Sequence, residues 1–86
     1  MSIPEHQIEA VKKILTQWNP LGDTAKGYSD LDDYNTEAID ILFHTGSKGN
    51  PTPIVREILN EAFYLDLSLD DCSKAGHAIK NIISIK

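Results

Sequence analysis

Ser68-Leu69-Asp70-Asp71-Cys72-Ser73-Lys74-Ala75-Gly76-His77-Ala78-Ile79-Lys80-Asn81-Ile82-Ile83 is the stretch whose reading decides the fold. Serine followed three residues later by an acid is a capping box, here with aspartate in place of the usual glutamate or glutamine. Leu69, Cys72, Ala75, Gly76, Ile79, Ile82 and Ile83 then recur at helical spacing, leaving polar residues on the opposite face. Gly76 sits inside this helix at a cost in helix stability, so a neighbouring helix is expected to approach its backbone closely. The end, Ile82-Ile83-Ser84-Ile85, reads as a fraying helix terminus.

The same grammar recurs upstream. Thr52-Pro53 reads as an N-cap with proline at the first helical position, and Val55, Ile58, Leu59, Ala62 and Phe63 follow at helix period. Ser29-Asp30-Leu31-Asp32 reads as a second box opening a helix lined by Leu31, Tyr34, Ala38, Ile41, Leu42 and Thr45, with Gly46 as its stop. Ser2-Ile3-Pro4-Glu5 opens a first helix carrying Ile8, Val11, Leu15 and Trp18, with Ile14 beside them. Asn19-Pro20 closes it, because a residue before proline is pushed out of the α region. No strand run of useful length competes. Residues 1–86 therefore read as a single helical domain, an all-α, small, four-helix antiparallel bundle.

The chain has 86 residues, 41% hydrophobic and 24% charged, ordinary values for a globular domain. A chain this size leaves little room for deep pockets. It carries no apolar run of membrane-spanning length and no signal-peptide pattern at its start, so a cytoplasmic location is expected. A single cysteine, Cys72, fits a reducing compartment.

The net charge of −5 is unevenly placed. Between residues 19 and 45 stand Asp23, Asp30, Asp32, Asp33, Glu37 and Asp40 against Lys26, which accounts for the whole excess. Such a field disfavours nucleic acid and anionic lipid and favours a basic protein partner. If one helix runs through them, Asp30, Asp33, Glu37 and Asp40 span about 80° of its circumference, a single acidic row bordered by Tyr34. Two readings fit the row: a binding face for a basic protein, or a solvated face that keeps a small domain soluble.

Other candidate chemistry is thin. Gly22-Asp23-Thr24-Ala25-Lys26-Gly27-Tyr28 has glycines at phosphate-loop spacing, but Tyr28 stands where the lysine belongs and no strand precedes it. Glu37, Asp40 and His44 share one helix side without the further ligands that a closed metal site needs. Cys72 lies on the apolar face beside Asp70 and Asp71, a setting that discourages a thiolate. No enzyme activity, cofactor or metal is expected.

Ile14-Leu15-Thr16-Gln17-Trp18-Asn19-Pro20-Leu21-Gly22, followed by Asp32-Asp33-Tyr34, resembles the small bacterial proteins typified by YugE. Their pattern is a helix ending in Trp-Asp-Pro-Leu/Ile-Gly and then an Asp-Glu-Tyr start; here Asn19 and Asp33 replace two acids. The likeness runs over residues 8–45 and implies an all-helical bacterial cytosolic protein. It carries no functional residues, because that family has no established activity. Length, acidity and helical class also resemble the immunity proteins that neutralise nuclease toxins. The Tyr-Tyr-Pro helix of that group is missing, so the shared element is physical: an acidic face can plug a basic toxin.

The leading expectation is thus a non-catalytic, acidic protein-binding module, most concretely an immunity-type protein. Its binding residues would be Asp23, Tyr28, Asp30, Asp33, Tyr34, Glu37 and Asp40, with Tyr34 as anchor. The alternative is a homo-oligomeric structural or accessory protein, for instance a weak homodimer, burying an apolar edge such as Phe43, Phe63 and Tyr64.

Overall fold

The computed structural model describes residues 3–22, 27, 34–46 and 49–84. Its helices are α1 (Glu5–Trp18), α2 (Asn35–Thr45), α3 (Pro51–Phe63) and α4 (Leu69–Ser84). Each packs on two neighbours in a closed ring: α1 on α2, α2 on α3, α3 on α4, and α4 back on α1. The end of α1 meets the start of α2 through Asn19 and Tyr34. Phe63, at the end of α3, meets Tyr34 at the start of α2. Thr52 and Asn60 of α3 meet Gly76 of α4 and Leu67 just before it, in reversed order. Neighbouring helices therefore run antiparallel, and the chain is an all-α four-helix bundle.

The core follows the helical period. Val11 and Leu15 from α1, Ala38 and Ile41 from α2, Val55 and Leu59 from α3, and Cys72 and Ile79 from α4 are all fully buried. Ile8, Ile14, Trp18, Ile58, Phe63, Ile82 and Ile83 pack around them, half-buried.

The ends of the helices divide into those that local chemistry settles and those that it does not. At α4, the Ser68 N–H donates to Asp71 Oδ2 and the Asp71 N–H donates to Ser68 Oγ, both at 3.0 Å, so the aspartate box closes in both directions. At the end of α1, Asn19 turns left-handed with φ 49° and donates its N–H to the Leu15 carbonyl. Gly46, with φ 68°, ends α2 by the same bond to Leu42.

Three expectations about starts are corrected. Pro4 occupies the N-cap of α1 and makes no side-chain cap, while Ser2 lies outside the described residues. α3 begins at Pro51 rather than after Thr52: the Asn50 side chain accepts from the Thr52 N–H at 3.2 Å, two residues earlier than expected. Thr52 is buried instead, against Gly76. α2 begins at Asn35, preceded by Tyr34 in the left-handed region with φ 64°. A left-handed tyrosine interrupts helical register, so α2 starts after it, and the Ser29 box lies outside the described residues.

One side chain ties down a connection that periodicity does not reveal, and another is buried without a bond. Asn60 donates its Nδ2 to the Leu67 carbonyl at 3.1 Å and accepts from the Leu67 N–H at 2.8 Å, clamping the turn between α3 and α4. Thr45 is buried at the end of α2, and its hydroxyl finds no hydrogen-bond partner among the described residues. An unsatisfied buried hydroxyl carries a desolvation penalty without a compensating bond. Thr45→Val keeps the shape and removes the orphan, so it is expected to stabilise the fold by about 0.5–1 kcal/mol. Paired urea melts of the two proteins would measure the gain; a less stable variant would mean that the hydroxyl is satisfied.

Candidate functional site

Only part of the expected acidic face falls among the described residues. Asp23, Tyr28, Asp30 and Asp33 lie outside the described residues. Glu37 and Asp40 share α2, with Asp40 exposed and Glu37 half-buried. Of the expected row, then, Glu37 and Asp40 are the two acids among the described residues, and both stand on α2.

Tyr34 is the clearest correction. It is 2% exposed and so cannot anchor a partner at the surface. Its ring meets Phe63 edge-on, with centroids 6.1 Å apart and planes at 87°. Its hydroxyl donates to Asn19 Oδ1 at 3.0 Å and accepts from the Leu21 N–H at 3.4 Å. Burial pushes its pKa above the ordinary tyrosine value; the Leu21 N–H pulls it down, and the charge of Glu37 adds to the rise. A buried tyrosine with its hydroxyl satisfied is a core residue.

The exposed apolar side chains of α2 are different ones. Phe43 is 64% exposed and Ile39 is 36% exposed, four residues apart and so on one stripe of the helix. Successive residues turn by about 100°, which places Phe43, Thr36 and Asp40 around the direction facing away from Ala38, Ile41, Leu42 and Thr45. His44 borders the same face, its ring edge-on to Phe43 with centroids 5.4 Å apart. The outer face of α2 is thus an aliphatic and an aromatic side chain laid beside a carboxylate. Periodicity contains this signal, since Ile39 and Phe43 fall off the core stripe, but the acidic row drew attention to the wrong aromatic.

The apolar edge of Phe43, Phe63 and Tyr64 does not exist as a unit. Phe63 packs against the core. Tyr64 is 94% exposed as the left-handed cap of α3, level with the start of α2, whereas Phe43 stands at the far end of α2. At 1.5 Å per residue, nine residues of helix separate their levels by about 13 Å.

Elsewhere the side chains are bound into structure. Cys72 is fully buried. Its thiol is pushed up by burial and by the charge of Asp71, against a smaller lowering by Arg56, so it stays protonated at neutral pH. Ser73, His77 and Asp70 border a shallow cleft at the start of α3, but Ser73 Oγ donates to the Asp70 carbonyl at 3.0 Å rather than to a base. Among the described residues no three His, Cys, Asp or Glu side chains converge as a metal site, and no helix is long and apolar enough to cross a membrane.

No protein-family model, curated protein or solved structure matches this chain.

Proposed function

We propose that this chain is a non-catalytic protein-binding module that docks a basic partner on the outer face of α2. Its most concrete form is an immunity-type protein that neutralises a basic bacterial toxin in the cytoplasm. The observation that carries the reading is the exposed pair Ile39 and Phe43 standing beside Asp40 on one helix face. Interface centres favour an aromatic anchor, and a neighbouring carboxylate steers a basic partner into register. The excess negative charge of the chain, concentrated in sequence between residues 19 and 45, also favours a basic partner. Phe43 takes the anchoring role that a buried Tyr34 leaves vacant.

The test is retrieval of partners by the tagged protein from host lysate at low and high salt, with Asp40→Lys and Phe43→Ala run in parallel. Both substitutions lie on the exposed face, and circular dichroism would check that each variant stays helical. A basic protein is expected with the wild type at low salt and less of it at high salt. Each substitution is expected to weaken that complex roughly tenfold or more, Asp40→Lys mainly through slower association and Phe43→Ala mainly through faster dissociation. Retention of the same partner by both variants would end the reading. The alternative, a homo-oligomer, would show itself as salt-insensitive self-association lost in Phe43→Ala.

A further inference from the structure

On the opposite side of the bundle, α1 and α4 leave a groove of about 390 Å³ lined by Ile14, Gln17, Trp18, Asp71, Lys74, Ala75 and Ala78. The cause is a mismatch in side-chain size. Trp18 and Ile14 stand half-buried on α1, while α4 answers with two alanines that do not fill the space between them. The helices run antiparallel, so Ile14 lies level with Ala78, and Gln17 and Trp18 lie level with Lys74 and Asp71. One end of the groove is apolar. The other carries both signs of charge, three residues apart on one face of α4.

The carboxylate at that end is held in place. Asp71 uses one oxygen, Oδ2, to cap Ser68, which fixes the side chain and leaves Oδ1 available. Lys74 is exposed, with its ammonium free to swing over the same end. From Asp71 to Ala78 is seven residues of helix, about 10 Å, the length of a small molecule rather than of a docked helix. We infer that this groove binds a small zwitterion with an apolar side chain, an α-amino carboxylate. Asp71 takes the ammonium, Lys74 takes the carboxylate, and the side chain lies along Trp18 toward Ile14 and Ala78. A mostly apolar cleft with a few convergent polar groups is how small-ligand sites are generally built.

Trp18 is the single tryptophan of the chain, so its emission reports occupancy of the groove directly. L-Phenylalanine titrated into the protein is expected to give a saturable blue shift with a dissociation constant on the order of millimolar, the range for so small a ligand. Asp71→Asn keeps an acceptor for Ser68 and is expected to weaken binding roughly three- to fivefold. The N-acetylated, C-amidated ligand loses both charge pairs and is expected to bind roughly tenfold or more weakly. Ala78→Leu, confirmed by its melting curve to be folded, fills the apolar end and is expected to abolish the shift. A response that never saturates, equal binding of the uncharged analogue, or full binding by folded Ala78→Leu would each overturn the assignment. None of these outcomes depends on the face of α2.

Discussion

Replacing Tyr34 by alanine is expected to lower the stability of the fold by about 3–5 kcal/mol, the range for emptying a buried aromatic site. The ring fills the junction between the end of α1 and the hairpin of α2 and α3, and its removal opens a cavity against Phe63. Total stabilities of natural domains are only about 5–15 kcal/mol, so the variant would be largely unfolded near physiological temperature. Tyr34→Phe separates the ring from the hydroxyl. It removes the hydroxyl that accepts from the Leu21 N–H and donates to Asn19, and is expected to cost about 1 kcal/mol, the typical net worth of a hydrogen bond. Asn19 is exposed, so water replaces the lost donor there.

The phenylalanine variant also carries a pH signature. Because the folded-state pKa of Tyr34 is raised, its contribution is complete below the ordinary tyrosine value and is lost as pH climbs through the folded value. Urea melts from pH 8 to pH 11 would show wild type losing more stability than Tyr34→Phe above about pH 10. Parallel decline of the two proteins would place the hydroxyl in water rather than in the core.

Gly76→Ala is expected to destabilise the fold although alanine is the better helix former. A methyl group at Gly76 would stand 2.8 Å from Thr52 Cα and 2.9 Å from Thr52 Cβ, and it would overlap the Thr52 hydroxyl. Rotating the threonine side chain relieves the hydroxyl but not the backbone carbon, so α3 and α4 must separate. Overpacking of this kind costs about 1–3 kcal/mol beyond what helix propensity, roughly 1 kcal/mol, returns. In a domain of this length each lost kcal/mol lowers the melting temperature by about 4–8 °C. Thermal melts would decide the sign, and a higher melting temperature would mean that the helices are not in backbone contact there.

Gly76 shows how far sequence reading reaches. A glycine in the middle of an otherwise well-formed helix has a packing reason, and that reason is the Thr52 backbone. Ser68 with Asp71, and Gly46, were legible for a similar reason: a cap or a stop is made from atoms within a few residues of each other. The start of α3 lies two residues before the one expected at Thr52, because Asn50, Thr52 and the two prolines all satisfy the local rules for a helix start. Which one serves is decided by what Thr52 must do, which is to lie buried against α4.

The proposed binding face is legible in composition and only in part in helical periodicity. Charge counting finds the acidic region, and Asp40 stands exposed on α2 within it. The aromatic beside it differs from the expected one because Tyr34 borders the acidic row in sequence, whereas Phe43 falls off the core stripe near Asp40. Only packing shows that Tyr34 turns inward, in a left-handed conformation that its buried ring and long-range hydrogen bonds offset.

By itself, then, the sequence determined that the chain is helical, where most of the helices stop, and which side chains face the core, because caps and periodicity act over one or two turns. Tertiary structure alone decided the start of α2, the partners of the Tyr34 hydroxyl and ring, and the groove beside Trp18. Each of these depends on atoms more than ten residues apart, as in the Tyr34–Asn19 bond that spans 15 residues. Whether such distant partners meet is settled by how the four helices close around one another.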